Sequence, residues 1–592
     1  MEYCKEQYPR PQFERKDWLN LNGIWTCHIS RKSPCCRNRD FRTDKVNSKG
    51  FENRILVPFA PETKASGLGV KELIDTIWYH RTIQIPQDWR DRSVIIHFGA
   101  VFYHCELFID GNAVGFHDGG SSSFSFDITH FVEAGKRHDL VLAATANLQD
   151  GSIPSGKQSS YISSYTCFYQ RTTGIWQTVW MEAVDPRALS SVRTLWNAGD
   201  SSLCFVPRFQ CNPTGLALTV SVTSPTGRTY IKNMPAVQGA PFSIAIDEPR
   251  LWEPGDPNLY TISYSLAEQG KPVDVVSSYV GLRTISVVGN QVYLNGKKLY
   301  QRLVLDQGFY PDGNWSAPND EALKNDIRLA LAAGFNGARL HQKVFEERFF
   351  YHADCLGYLV WAESPSWGLD YNDEGLPARN FLNEWREIVE RDLNHPSIVA
   401  WTPLNETYYF KDSFAHRRLH KEAYEICKSL DPTRPVNDAS GYIHYITDLW
   451  TVHTYLQDPG ELRKQLQVKD GQVFRNFPDS ESSYIGQPYL VDEYGGVKWD
   501  PSTQGDVSLS TAQNLESWGY GQAPRTETEF LSRMMALTDV LLSLDHVSGY
   551  CYTQLTDVEQ EKNGLYYYNR KPKFEVSRYH EIFSRKPAGY GL

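Results

Sequence analysis

The first half of the chain consists of short runs in which β-branched and aromatic residues cluster or alternate with polar residues. Turn-forming pairs such as Asp110-Gly111 separate these runs. Dense short strands without helical periodicity predict a β jelly-roll sandwich over residues 1–184. A break at Val184-Asp185-Pro186 precedes a second strand-rich block, whose length predicts an immunoglobulin-like β-sandwich over residues 185–287. The runs behind this interpretation are residues 77–85, 93–98, 105–109, 140–144, 178–182, 218–222, 242–246 and 260–266.

The pattern changes in the second half, where short apolar runs alternate with stretches of helical periodicity. Apolar residues recur at helical spacing over residues 320–333, and Gly334 supplies the stop signal. A later helix is predicted over residues 381–393. Roughly 300 residues of alternating strands and helices predict a C-terminal (β/α)8 barrel over residues 288–592. The alternative is a doubly wound open sheet, but no glycine-rich phosphate loop follows an early strand.

Composition limits the class of partner. The chain has 60 Lys and Arg residues against 70 Asp and Glu residues, and this net charge of −10 argues against a nucleic-acid-binding surface. Aromatic residues make up 13% of the chain. This content suits β-sandwiches, and it also suits sugar binding, because the apolar face of a pyranose stacks on an aromatic ring. Composition alone does not separate the two explanations.

Cysteine usage and the N-terminus bear on the cellular compartment. Eleven cysteines are scattered along the chain without a CxxC motif. The charged N-terminal stretch lacks the apolar run of a secretory signal, and no apolar stretch approaches the roughly 20 residues of a membrane helix. These features predict a reduced, cytoplasmic protein. No metal-binding cluster is evident in the sequence, so we expect no metal ion and no cofactor.

Candidate catalytic residues follow the apolar runs of the second half. In a (β/α)8 barrel the active site lies at the carboxyl ends of the strands, and Glu406 and Glu493 each follow such a run. Glycosidic bond cleavage requires two carboxylates, one to protonate the leaving oxygen and one to attack, or to activate water at, the anomeric carbon. Asn405 has an amide that suits a hydrogen bond to the sugar 2-hydroxyl. A single Glu after a strand is more often a cap or a salt-bridge partner, so neither glutamate is convincing alone.

Motifs along nearly the whole chain strengthen this interpretation. Asn394-His395-Pro396-Ser397-Ile398, with Trp401 and Asn405-Glu406, forms a highly specific signature, and Glu493 lies in Asp492-Glu493-Tyr494-Gly495-Gly496. On these motifs the chain resembles glycoside hydrolase family 2, which contains β-galactosidases, β-glucuronidases and β-mannosidases. The resemblance implies that Glu406 is the acid/base and Glu493 the nucleophile of a retaining enzyme, with carboxylates about 5 Å apart. Further matches lie at residues 21–25, 78–81, 174–180, 251–252, 257–260 and 281–283.

The resemblance also suggests roles for other residues. Arg339 would orient the nucleophile and lower its pKa, although a structural ion pair is the alternative. Tyr455, on the same predicted strand as His453, would hydrogen-bond the nucleophile, with a core aromatic residue as the alternative. Sugar contacts, or solvated loop positions, are expected for Asp306, Gln307, His341 and Lys343, and a subsite platform for Trp361 and Tyr552.

Two departures from the family pattern bear on the sugar. Glucuronidases of the family bind the sugar carboxylate with an Asn-x-Lys pair, whereas the corresponding positions here are Glu561 and Asn563, with Lys562 between them. The His-rich loop of many β-galactosidases is replaced by Leu305-Asp306-Gln307-Gly308. The first departure disfavours glucuronic acid, whereas the second argues against galactopyranose itself and keeps galactofuranose and arabinose open. We expect a β-galactosidase-like exo-enzyme that releases a terminal neutral sugar, galactose-like first. Galactofuranose, arabinose, mannose and glucuronic acid are the alternatives.

Two other kinds of protein are compatible with these motifs. One is a non-catalytic carbohydrate-binding protein, because a fold does not guarantee an activity. The other is an enzyme that cleaves inside polysaccharides. Exo action is favoured because the sandwich domains and βα loops of the family wall the site into a pocket. We expect a carbohydrate or glycoside partner, no nucleic acid and no membrane, and a homo-oligomer remains open.

Overall fold

The computed structural model describes residues 5–31, 46–409, 413–501 and 517–590. A jelly-roll β-sandwich, an immunoglobulin-like β-sandwich and a parallel β/α barrel follow one another along the chain. The predicted fold class is therefore confirmed, whereas the domain boundaries at residues 184 and 287 stay predictions. Within the described ranges, no helix is long and apolar enough to cross a membrane.

The first sandwich packs two antiparallel sheets around one apolar core. Ile77, Tyr79 and Ile83 of the strand Ile74–Gln84 are buried, because every second side chain of a strand points to the same face. The smaller sheet has the spatial order Trp18–Asn20, Val179–Val184, Ser93–Phe98, Phe124–Asp127. The larger sheet has the order Asn53–Val57, Gly23–Arg31, Ile74–Gln84, Arg137–Thr145, His104–Ile109, Asn112–Asp118. A short pair joins Val101–Phe102 to Gly174–Ile175.

The second sandwich is built in the same way. In the strand Leu216–Thr223, Leu218, Val220 and Val222 alternate with more exposed polar residues and are buried between the sheets. One sheet contains Leu189–Asn197, Ser202–Phe209 and Phe242–Ala245. The other contains Thr229–Pro235, Leu216–Thr223, Leu259–Glu268 and Lys271–Gly281. Short strands before the barrel are Trp252–Glu253, Asp256–Pro257, Ile285–Val288, Gln291–Leu294 and Lys297–Lys298.

The barrel strands run parallel, so their carboxyl ends share one rim. In chain order the strands are Gln301–Asp306, Gly337–Leu340, Leu359–Glu363, Ile398–Thr402, Ala439–Ser440, Trp450–Thr454, Tyr489–Gly495 and Val547–Thr553. All of these except Ala439–Ser440 belong to one hydrogen-bonded sheet. Ala439–Ser440 instead pairs in parallel with Leu404–Asn405, the continuation of the fourth strand. This arrangement collects the polar residues that follow the strands around one bowl.

Helices cover the outside of the barrel. The helix Asp320–Ala332 begins where it was predicted, because the Asn319 side chain accepts a hydrogen bond from the Ala322 N–H at 2.9 Å. The helix Leu376–Asp392 begins before the predicted Phe381, because Pro377 suits a first helical turn, where backbone N–H groups have no acceptor. The remaining helices are Glu347–Leu356, Ser413–Leu430, Pro459–Leu466, Glu527–Leu542 and Val576–Phe583, with 3-10 turns at Gln87–Trp89 and Thr129–Phe131.

Candidate active site

The two predicted catalytic glutamates lie at the carboxyl ends of different barrel strands. Glu406 directly follows Leu404–Asn405, and Glu493 lies in Tyr489–Gly495. One carboxylate oxygen of Glu406 lies within 4.8 Å of one of Glu493. This separation suits a nucleophile and a proton donor that act on the same glycosidic bond, because an inverting enzyme needs room for a water molecule between its carboxylates.

The backbone turns sharply at Glu406. Its φ of 44° lies in the left-handed region, which is unusual for a residue with a Cβ atom. The Glu406 N–H donates to the Ser440 carbonyl at 3.0 Å, so the adjacent barrel strand fixes the turn. The side chain of Glu406 is 17% exposed, whereas that of Glu493 is 7% exposed. The turn thus presents the Glu406 carboxylate to the bowl.

Glu493 receives hydrogen bonds at both carboxylate oxygens. The Arg339 guanidinium donates to Oε1 and the Tyr455 hydroxyl donates to Oε2. Tyr455 is held in place by Tyr520, whose ring stacks on it with centroids 3.5 Å apart. Burial alone would raise the pKa of Glu493, but the positive charges of His453 and Arg339 lower it below its ordinary value. Glu493 is therefore ionised, as a nucleophilic carboxylate must be.

His453 lies between the two glutamates. Its Nδ1 is 2.6 Å from Glu406 Oε1 and 3.6 Å from Glu493 Oε2. Its Nε2 is 3.2 Å from Asp492 Oδ1. Burial alone would lower the pKa of His453, but the charges of Glu493 and Asp492 raise it to about 10. The protonated ring donates from both nitrogens and links the candidate acid/base to the nucleophile.

Arg339 forms the floor of the bowl and positions Asn405. Its Nη1 donates to Glu363 Oε2 at 2.5 Å and to Asn405 Oδ1 at 3.0 Å. The amide nitrogen of Asn405 is buried and has no hydrogen-bond partner among the residues that the structure describes. An unsatisfied buried donor costs about 1–3 kcal/mol, so this amide is prepared for a hydroxyl group of a substrate.

A loop of the first sandwich forms one wall of the bowl. The Tyr169 hydroxyl donates to the Glu561 carboxylate. The Gln307 amide donates to the Tyr169 hydroxyl at 3.1 Å and to Gln554 Oε1 at 2.5 Å. The Asn563 amide donates to Glu561 Oε1 at 2.9 Å. These contacts join the two domains through one buried hydrogen-bond network at the edge of the bowl.

Glu406, His453 and Glu493 also form the one group of three potential metal ligands found in the described ranges. A metal ion requires a neutral imidazole, because a protonated ring nitrogen has no lone pair to donate. The surrounding carboxylates keep His453 protonated. The chemistry of this trio therefore fits proton transfer and carboxylate stabilisation better than metal binding.

Family models match all three units of the chain. The model of the glycosyl hydrolases family 2 TIM barrel domain matches residues 285–585, and that of the family's sugar binding domain matches residues 48–182. The chain belongs to glycoside hydrolase family 2. A third model of the family matches residues 194–283, within the immunoglobulin-like unit. The resemblance seen in the motifs is thus confirmed.

Named relatives of this family 2 chain are distant. A beta-glucuronidase from Paenibacillus borealis is 22% identical over 514 residues, 80% of this chain and 82% of that protein. A beta-galactosidase from Thermoanaerobacter pseudethanolicus is 24% identical over 435 residues, 71% of this chain and 55% of that protein. The match to a Formosa agariphila relative spans 44% of that protein's length. The structure of a beta-D-glucuronidase from Dictyoglomus thermophilum has a TM-score of 0.76 and 20% identity over 99% of this chain and 100% of that chain, which shows a shared fold.

Most of the predicted site residues meet in two hydrogen-bonded groups. Buried His341 contacts Glu363 Oε1 at 3.2 Å, and burial together with the charge of Lys157 lowers its pKa well below the ordinary value. A neutral imidazole can accept or donate toward a sugar hydroxyl. One group contains Arg339, His341, Asn405, Glu406, His453, Tyr455 and Glu493. The other contains Gln307, Glu561 and Asn563.

Three predicted residues lie elsewhere in the barrel. The Trp361 indole is buried and donates to the Gln301 side chain at 2.6 Å, at the amino end of the first barrel strand. Tyr552 packs against Phe583 of the last helix with ring centroids 5.1 Å apart. These positions correct the expectation of a Trp361–Tyr552 platform, because the Trp361 ring fills the barrel interior and the Tyr552 ring packs between the strands and the helices. The Asp306 carboxylate accepts from the Gly308 N–H at 2.9 Å, and its backbone carbonyl accepts from the His341 N–H at 2.8 Å.

The sequence did not identify several residues of the site. Glu363 and Asp492 follow or end apolar runs, so the rule that found Glu493 could also have found them. Trp367, whose indole donates to the Asn405 carbonyl at 3.0 Å, lies in an irregular loop without a pattern. Tyr169 reaches the barrel from another domain, and no local signal in the sequence indicates such a contact.

Proposed function

We propose that this protein is a retaining exo-β-glycosidase that acts on β-linked glucuronides. The observation that supports the reaction is the ionised Glu493 within 4.8 Å of Glu406. Similarity to proteins named beta-glucuronidase, from Paenibacillus borealis and Felis catus among others, supports the glycone. Glucuronic acid, an alternative in the sequence-based expectation, thereby becomes the first choice in place of a galactose-like sugar.

The reaction begins at the anomeric carbon. Glu493 attacks this carbon and forms a glycosyl ester, while Glu406 gives a proton to the departing glycosidic oxygen. Arg339 and Tyr455 hold the attacking carboxylate in one orientation. The free Asn405 amide donates to the sugar 2-hydroxyl, a contact that strengthens in the transition state. In the second step Glu406 takes a proton from water, which attacks the ester and restores Glu493.

Exo action follows from the wall that the first sandwich adds to the barrel. Backbone N–H groups of Ser155 and Gly156 donate to the Trp367 carbonyl at 2.8 and 3.1 Å. Tyr169 bonds to Glu561 on the other side of the same loop. A loop fixed at both ends closes one side of the bowl. This shape favours binding of the end of a glycan over binding of its interior.

A neutral β-galactoside is the second candidate. The observation that favours it is the pair Glu561 and Asn563 at the positions where the family's glucuronidases carry Asn and Lys. Both side chains are buried and bonded to each other, so neither offers a positive charge there. The beta-galactosidase relative from Thermoanaerobacter pseudethanolicus is consistent with this candidate.

A panel of 4-nitrophenyl glycosides tests both candidates. We expect kcat/KM to be highest for the β-D-glucuronide, with the α-anomer inert. Proton NMR of the first product formed should show the β-anomer, because two displacements retain the configuration. Faster turnover of the β-D-galactoside would overturn the proposed glycone, and an α-anomeric first product would overturn the retaining mechanism.

A further inference from the structure

Lys157 brings a positive charge from the first sandwich to the mouth of the barrel. Gly156, directly before it, has a φ of 58°, and a Cβ atom there would lie 2.3 Å from the Gln342 carbonyl oxygen. The loop backbone is therefore pressed against the carboxyl end of the second barrel strand. The Lys157 carbonyl accepts from the Tyr169 N–H at 2.8 Å, so the position of Lys157 is fixed on both sides.

The side chain of Lys157 is buried without an ion-pair partner. The residue is 6% exposed, and its ammonium lies 5.4 Å from the centre of the Trp367 ring. Within the described part of the chain, its ammonium forms no hydrogen bond and no salt bridge. Burial alone would lower its pKa, but the negative charges of Glu561 and Glu493 raise it. A lysine with so little exposed surface and no direct partner for its charge among the described residues is unusual, since buried charges are ordinarily paired.

The place of Lys157 relates it to the glycone. Its carbonyl is bonded by Tyr169, whose hydroxyl donates to Glu561. Its ammonium lies against Trp367, whose indole donates to the carbonyl of Asn405, the residue before Glu406. Lys157 is thus in contact with residues that bond to both sides of the bowl. Glu561 and Asn563 occupy the positions of the family's carboxylate clamp, but their polar atoms are used by Tyr169, Gln554 and each other. The polar atoms at the clamp position are thus occupied by hydrogen bonds within the protein and do not bind a substrate carboxylate.

Lys562 does not replace the missing cation. Its charge acts on Asp557, Glu559 and Lys573. Its backbone pairs with Trp518, which continues the outer loop of the barrel. The charges of Glu561 and of both catalytic glutamates act on Lys157, whereas Lys562 acts on a different set of residues.

We infer that Lys157 is a specificity-determining residue that pairs with the C6 carboxylate of a β-linked hexuronic acid. This inference rests on the proposed function and adds to it the residue that distinguishes a uronic acid from a neutral sugar. The carboxylate supplies the anionic hydrogen-bond acceptor that the ammonium lacks. The Trp367 ring contacts the ammonium through a cation–π interaction. The cation comes from a loop of the first sandwich rather than from the barrel, so the two domains recognise the sugar together.

The test compares two substrates that differ at C6 alone, 4-nitrophenyl β-D-glucuronide and 4-nitrophenyl β-D-glucoside. The measured quantity is the ratio of their kcat/KM values in the full-length enzyme. In Lys157→Met we expect this ratio to fall by about ten- to a hundredfold, because a charge-assisted hydrogen bond is lost. Lys157→Arg keeps the charge and should keep most of the preference. Lys562→Met is the matched control and should leave the ratio within about threefold of wild type.

The outcomes separate the two proposals. If wild type prefers the glucuronide and Lys157→Met retains that preference, the role of Lys157 is overturned and the proposed function stands. If wild type hydrolyses the glucoside or galactoside faster than the glucuronide, the proposed glycone itself fails. An equal loss on both substrates would show that Lys157 acts on the fold of the site, not on the carboxylate. Thermal unfolding of each variant checks folding, and Lys157→Gln replaces the Met variant if that one is destabilised.

Discussion

The surroundings of the two glutamates assign them different roles. Glu493 is bonded to a guanidinium and a phenol and faces a protonated imidazole, so three groups stabilise its negative charge. Glu406 has a single partner among these, His453, and the larger exposed fraction. A carboxylate that must both give and accept a proton benefits from few fixed partners, whereas a nucleophile benefits from many.

Azide distinguishes these roles in variants. In Glu406→Ala, azide should attack the glycosyl ester without a general base and give the β-glycosyl azide, with restored turnover. In Glu493→Ala, azide should attack the anomeric carbon directly and give the α-glycosyl azide. The measurement is kcat with and without azide, and NMR of the product. Loss of less than about tenfold in kcat in both variants, against the ~10²–10⁴ of a key acid/base, would contradict the assignment.

His453 couples the charge of the site to pH. Its folded-state pKa of about 10 lies above the ordinary value, so its contribution to stability is complete below pH ~6.5 and is lost as pH rises through about 10. His453→Asn removes this titration. We expect the unfolding temperature of the variant to fall less between pH 7 and pH 10 than that of wild type.

The same variant should also change the pH profile of activity. The charge of His453 lowers the pKa of Glu493, so its removal should move the acidic limb of kcat/KM to higher pH. Identical acidic limbs in wild type and His453→Asn would show that the imidazolium does not act on the nucleophile. His130, which lies in the 3-10 turn Thr129–Phe131 of the first sandwich, provides the control substitution.

At the scale of elements, the sequence predicted the strands and helices that local residue patterns determine. Runs of β-branched and aromatic residues identified the sandwich strands, and the apolar spacing over residues 320–333 identified the helix that Asn319 caps in the structure. The start of the helix at Leu376 was missed because the apolar residues at helical spacing, Phe381, Trp385 and Ile388, begin only at Phe381. Glu406 and Glu493 were found by the rule that polar residues after barrel strands face the active site.

The rule that residues at strand ends face the active site was insufficient for side chains that lie deeper in the barrel and do not reach its rim. Trp361 precedes Glu363 on one strand, yet its indole fills the barrel core while the Glu363 carboxylate binds Arg339. Residues two apart on a strand point to the same face, so Trp361 and Glu363 differ in their height along the barrel axis, which the shear of the closed barrel sets. A linear sequence does not contain that information in any single motif.

At the scale of the whole molecule, the contacts between the first sandwich and the barrel were not predictable from local patterns. Lys157 and Tyr169 reach the bowl because the first sandwich packs against the barrel, although hundreds of residues separate the contacting positions in the sequence. A second contact of this kind joins Ser121 of the sandwich to Glu384 on the helix Leu376–Asp392. Domain packing therefore contributes to the site and also to the stability of the whole chain.

Glu384 makes this domain contact sensitive to pH. It is buried and accepts from the Ser121 N–H at 2.7 Å, while its Oε2 has no hydrogen-bond partner within the described part of the chain. Burial raises the pKa of Glu384 to about 8. Because this folded-state value exceeds the unfolded value of ~4.3, the stability it contributes is complete below pH ~4.3 and is lost as pH rises toward about 8.

Glu384→Gln keeps the acceptor for Ser121 and removes the titration. At pH 5 the variant should be no more stable than wild type, because its amide hydrogens lack an acceptor at a cost of ~1–3 kcal/mol. Between pH 5 and pH 8 the unfolding temperature of the variant should rise relative to wild type, since wild type alone must bury a carboxylate that tends to ionise. Thermal unfolding followed by fluorescence at several pH values measures this difference. Glu390→Gln, at an exposed position of the same helix, is the control. A difference between Glu384→Gln and wild type that stays constant across this range would show that Glu384 does not titrate at the domain contact.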